Sequence, residues 1–167
     1  MDSIRLIGAV EKVLGRKLDP DSLEDVFIVQ RGCYILNTWG VEPIHTYDKY
    51  IGGPMSLDLG VEYRDLIDGG VPFTTDVDEG TLARLKDLFD RGTDFVHAYA
   101  ALLTVREVNP RSSWDVIVKH THHMEPKLGD SIEEAFDHIM QWMGPGSDDR
   151  TEPDENDIGT TDTEDAV

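Results

Sequence analysis

Apolar residues recur every three or four positions along most of the chain, interrupted by Gly, Pro and capping residues, and that spacing predicts helices. Ile4, Ile7, Val10, Val13 and Leu14 mark a first amphipathic helix that Gly15 weakens and Pro20 ends. Ser22, with Asp25 three places on, is a suitable N-cap for a second. In it Leu23, Val26, Phe27, Gln30, Cys33, Tyr34 and Leu36 recur at helical spacing, and Gly40 supplies the stop. Gly52-Gly53-Pro54 then demands a sharp turn, because two permissive residues precede one with a fixed φ and no N–H. Ser56 caps a third helix with Leu59, Tyr63, Leu66 and Ile67 on one stripe, closed by Gly69-Gly70.

The second half continues in the same way. Asp78 or Thr81 starts a helix with Leu82, Leu85, Leu88 and Phe89 inward, and Arg91-Gly92 ends it. Thr93 or Asp94 begins a longer, more apolar helix carrying Phe95, Ala98, Tyr99, Leu102, Leu103 and Val105, which Asn109-Pro110 breaks. Ser112, with Asp115 at the matching position, is expected to cap a short helix that buries Trp114, Ile117 and Val118. Ser131-x-x-Glu134 reads as a capping box for a last helix burying Ile132, Phe136, Ile139, Met140 and Met143, and Gly144-Pro145 stops it. Two stretches lack helical spacing. Val41, Ile44, Tyr47, Tyr50 and Ile51 suit an extended arm, as do Val71, Phe73, Thr74 and Thr75, and the two arms would pair as a small wing. The expectation is a mainly α, compact multi-helix domain over residues 1–144, with a two-stranded wing, and a disordered acidic tail over 145–167 with almost nothing to bury.

Charge changes this picture more than length does. The 167 residues suffice for a core without metal or disulfide support, and the single Cys33, on an apolar helix face, is expected to be a buried reduced thiol. The net charge is −19. Residues 148–167 contribute nine acids against one base, yet the remainder is still at −11, with Asp outnumbering Glu by 22 to 12 and only six Lys. Acid spread over the whole chain favours adaptation to a high-salt cytoplasm of the halophilic archaeal kind, where molar salt shortens the Debye length to about 3 Å and removes the self-repulsion. The competing account is an anionic surface that meets a basic partner or mimics nucleic acid. Arg5 and Glu11 interrupt the early apolar residues, so no secretory signal is expected, and no apolar run approaches the length of a membrane span. A cytoplasmic protein follows.

Candidate chemistry is sparse. In His120-x-His122-His123, only His120 and His123 share a helix face, which makes them the metal candidates; histidines favouring the last turn of a helix are the simpler account. His45, His97 and His138 stand without a nucleophile partner. Gly52-Gly53-Pro54 lacks the Lys-Ser/Thr ending of a phosphate cradle. Glu133, Glu134 and Asp137 suit a helix start without any acid–base role. No cofactor is expected. No basic stripe supports nucleic-acid binding, although a winged-helix reader relying on shape survives as a minority reading.

Gln30-Arg31-Gly32-Cys33-Tyr34, followed by Tyr50-Ile51-Gly52-Gly53-Pro54-Met55-Ser56, resembles the YwgA-like and SocA-like proteins, the group that includes the Panacea antitoxin domain. Met124-Glu125-Pro126-Lys127-Leu128 with Ile132-Glu133-Glu134-Ala135 is similar to that group's late Lys-Pro segment and closing helix. Met55 stands where an aromatic is common, and Glu125 replaces the usual basic residue. The resemblance implies a non-catalytic protein-interaction module, antitoxin-like, that neutralises a partner toxin, or an adaptor-like relative. It places Gln30, Tyr34, Tyr47, Tyr50, Gly53, Pro54, Met55 and Ser56 at a surface that either binds the partner or braces the turn. The alternatives are a DNA-associated regulator with a helix-turn-helix-like core, and a small metal-binding protein or hydrolase.

Overall fold

Four capping side chains set the rhythm of the chain. Ser22 Oγ accepts from the Asp25 N–H, Ser56 Oγ from Leu59, Asp78 from Thr81 and Ser113 from Val116, each three residues into a helix. A computed structural model describes residues 3–50 and 53–143, with only the backbone of Tyr50. Its helices are α1 (Ile4–Leu14), α2 (Leu23–Thr38), α3 (Leu57–Asp68), α4 (Glu79–Asp90), α5 (Thr93–Val108), α6 (Trp114–Met124) and α7 (Asp130–Met143). A 3-10 turn, Pro126–Leu128, precedes α7. Two short strands, β1 (Asp48–Tyr50) and β2 (Gly53–Met55), form an antiparallel pair. The fold is therefore mainly α with one small wing, as the hydrophobic spacing implies.

The chain divides into two compact units, Met1–Val96 and His97–Val167, with the boundary inside α5. In the first, α1 packs on α2 and α4, burying Leu6, Ile7 and Val10 with Val29, Cys33, Leu36, Leu85 and Leu88. Gly8 lets the 71–75 segment pass close over α1, since a Cβ there would collide with the Thr74 carbonyl. The α1–α2 connection is tied by Asp25, whose carboxylate accepts both Arg16 guanidinium nitrogens (3.0 and 2.9 Å) and the Asp19 N–H (2.8 Å). Helix α2 ends in a left-handed Gly40 (φ 88°), with the Val41 N–H returning to the Leu36 carbonyl. In the second unit α6 packs on α7, with the Trp114 and Phe136 rings 5.7 Å apart.

Four expectations are corrected. The wing does not pair the 41–51 arm with 71–75. β1 pairs with Gly53–Met55, in the register Asp48↔Met55, Lys49↔Pro54, Tyr50↔Gly53, so Gly53 and Pro54 belong to a strand. A two-stranded hairpin tolerates Pro54 because each strand has a free edge. Residues 71–75 are instead laid along α1, where Thr75 Oγ1 donates to the Arg5 carbonyl (2.8 Å). Ser113, not Ser112, caps α6; the Ser112 carbonyl is taken by the Arg106 guanidinium, and the one-residue shift puts Trp114 first in the helix. Helix α7 starts at Asp130, because Gly129 (φ 51°) turns the chain and its carbonyl already accepts from Ile132, leaving Ser131 inside the first turn. Leu23 and Met143, expected on buried stripes, are exposed. The acidic tail, 145–167, lies outside the described residues.

Candidate functional site: the braced hairpin and its groove

Gln30 holds the site together. Its carboxamide faces the backbone of Ser56, accepting the Ser56 N–H at Oε1 (2.8 Å) and donating from Nε2 to the Ser56 carbonyl (3.1 Å). Both residues are buried, so a side chain on α2 completes the backbone bonding where β2 hands over to α3. The Ser56 hydroxyl then caps α3. Above it, Gly53 adopts φ 119° with its Cα face toward the Arg31 guanidinium, and Arg31 in turn stacks 4.9 Å over the Phe27 ring.

One turn along α2, Tyr34 meets Tyr47 edge to face, with centroids 5.1 Å apart and planes at 76°. The Tyr47 hydroxyl donates to Asn37 Oδ1 (2.9 Å), which also accepts the His45 N–H (3.0 Å), while Asn37 Nδ2 donates to the Val41 and Pro43 carbonyls (2.8 and 2.9 Å). Burial pushes the Tyr47 phenol and the Cys33 thiol well above their ordinary ranges, so both stay protonated at neutral pH. Ser3 forms a second clamp. Its N–H and hydroxyl donate to the two oxygens of Glu62 (2.5 and 2.7 Å), and the hydroxyl lies 2.6 Å from His45 Nε2. Ser3 is fully buried, and Glu62 engages it directly instead of orienting the imidazole, so this arrangement ties α1 to α3 and to the 41–47 segment.

Of the residues picked out in the sequence, Gln30 and Ser56 touch directly, Tyr34 and Tyr47 touch each other, and Gly53 and Pro54 are buried in the hairpin. Met55 is half-exposed, and the Tyr50 side chain lies outside the described residues. A groove of about 500 Å³ opens beside the hairpin, lined by Val26 and Gln30 of α2, Asp48 and Met55 of the strands, and Ser56, Leu57, Gly60, Val61, Arg64 and Asp65. Leu57 is 79% exposed and Val61 53%, one turn apart on α3. Sequence reasoning missed both. The available signal was two large apolar residues at i, i+4 lying off the buried Leu59–Tyr63 stripe. Arg64 reaches away to Asp21 (3.1 Å) and the Pro20 carbonyl.

His120 and His123 are both exposed on α6. Between them, His122 bonds Glu133 (Nε2 to Oε2, 2.5 Å), and among the described residues no group of three His, Cys, Asp or Glu side chains is placed to hold a metal ion. None of the described helices is long and apolar enough to cross a membrane. Comparison with family models, with curated proteins and with solved structures finds no match to the chain.

Proposed function

We propose that the protein is a non-catalytic interaction module of the antitoxin-like kind, working in the cytoplasm by holding a protein partner, with a toxin as the partner the resemblance suggests. The observation that carries this reading is the groove beside the hairpin. Large apolar side chains stand in solvent at Leu57 and Val61, next to Met55 and Val26, on a frame held by the Gln30–Ser56 pair. Exposed apolar residues clustered around a concave, rigid frame are typical of partner surfaces, and aliphatic and Met side chains adapt well to a protein ligand. The ionisable groups of the groove, Asp48, Arg64 and Asp65, are all exposed, which suits a polar rim around an apolar centre.

The test is purification of the tagged full chain from the cells that naturally make it, at their own salt concentration, beside a Leu57→Asp/Val61→Asp double variant. A stoichiometric protein partner on the wild type, lost from the variant, is the expected result. Recovery of a defined DNA sequence in place of protein, or a partner retained in full by the variant, overturns the reading.

A further inference from the structure

We infer that the groove between α2 and α3 takes a basic amphipathic helix, seating two apolar side chains one turn apart between Val26, Met55, Leu57 and Val61. This rests on the proposed function and specifies its partner. The volume, about 500 Å³, fits a pair of large aliphatic or aromatic side chains, and the one-turn separation of Leu57 and Val61 matches the i, i+3/i+4 anchors that a helix presents.

Charge complementarity selects the sign of the partner. Helix α3 carries Asp58, Asp65 and Asp68, besides Glu62, whose carboxylate is taken by Ser3, against the cation Arg64, which lines the groove and is paired with Asp21. Asp48 and Asp65 line the groove itself, and Glu24 stands exposed on the first turn of α2. On a chain at −19, an acidic helix would meet Asp48 and Asp65 at the groove, whereas Lys or Arg flanking the apolar anchors would meet opposite charge there.

The experiment uses a labelled synthetic peptide of about 16 residues, with Leu at helical spacing and Lys elsewhere. A second peptide permutes the same residues to destroy the spacing, and a third has Glu in place of every Lys. Fluorescence anisotropy with the full chain is expected to show the spaced Lys peptide binding at least about tenfold more tightly than either control. Leu57→Asp and Val61→Asp should each weaken it about tenfold or more, while Val116→Asp, at an exposed apolar position on α6, leaves it unchanged. Both groove positions are exposed, and Asp at the first residue of α3 suits the helix dipole, so these variants fold. Equal binding of the permuted peptide, equal binding of the Glu peptide, or indifference to Val61→Asp overturns the inference. If a natural partner is captured through the groove while the spaced Lys peptide fails, the basic-helix inference alone falls. If the peptide binds as expected but no protein partner exists in the cell, the proposed function falls and the groove chemistry stands.

Discussion

Replacing Gln30 by Met tests whether the hairpin is held by one carboxamide. Met conserves volume and apolar contact, so the change removes only the two polar bonds to Ser56. They are unequal. The Ser56 carbonyl keeps its intrahelical bond from the Gly60 N–H (3.0 Å), so losing the Gln30 donor there costs about 0.5–1.5 kcal/mol. The buried Ser56 N–H loses Gln30 Oε1 and has no other backbone partner among the described residues, which costs about 1–3 kcal/mol. The total is about 1.5–4.5 kcal/mol, or roughly 3–18 °C in Tm for a chain of this size. Gln30→Glu does not rescue it, because its second oxygen would face the Ser56 carbonyl. Urea unfolding followed by circular dichroism gives the stability, and amide exchange at Ser56 and Leu59 localises the loss. A Gln30→Met cost below about 0.5 kcal/mol, with Ser56 still protected, would refute the reasoning.

The Arg16 guanidinium and the Asp19 N–H hold the Asp25 carboxyl below its usual range, so its stabilisation is complete above the unfolded value near about 3.9 and is lost as pH falls through the lower folded value; acid unfolding of Asp25→Asn should show a shallower decline there than the wild type. Burial pushes the Tyr63 phenol up to about 12, so its contribution is intact below about pH 10 and disappears as pH rises toward 12; Tyr63→Phe should flatten that alkaline decline in a pH series of urea melts. Because the buried Tyr63 hydroxyl has no hydrogen-bond partner among the described residues, Tyr63→Phe should also be neutral or stabilising at pH 7, by up to about 1 kcal/mol. Gly8→Ala should destabilise by about 1–3 kcal/mol in the same assay despite its better helix propensity, because the new methyl meets the Thr74 backbone.

What could be read from the sequence was whatever is decided within a few residues. Ser22, Ser56 and Asp78 act as caps where spacing placed them, since a cap and its N–H partner lie three positions apart. The wing was half legible. Gly52-Gly53-Pro54 reads locally as a turn, but the partner of β1 is chosen by Gln30, 26 residues from Ser56, and by the seating of 71–75 on α1. Asn37 gave no warning, because its bonds go to Val41, Pro43, His45 and Tyr47, whose positions follow from the chain path after α2. Ser112 and Ser113 are equivalent as caps by type, and the Arg106–Ser112 contact together with Trp114 packing decides between them. Gln30 with Ser56 and Tyr34 with Tyr47 hold on to each other, and the exposed face next to them belongs to Leu57 and Val61.

The most direct measurement is photo-cross-linking inside the cells that make the protein, with a benzophenone side chain in place of Val61 and, for comparison, in place of Val116. The account predicts one discrete protein adduct from position 61, abolished by adding Leu57→Asp, and none from position 116. No adduct from position 61, or the same set of adducts from both positions, would contradict it.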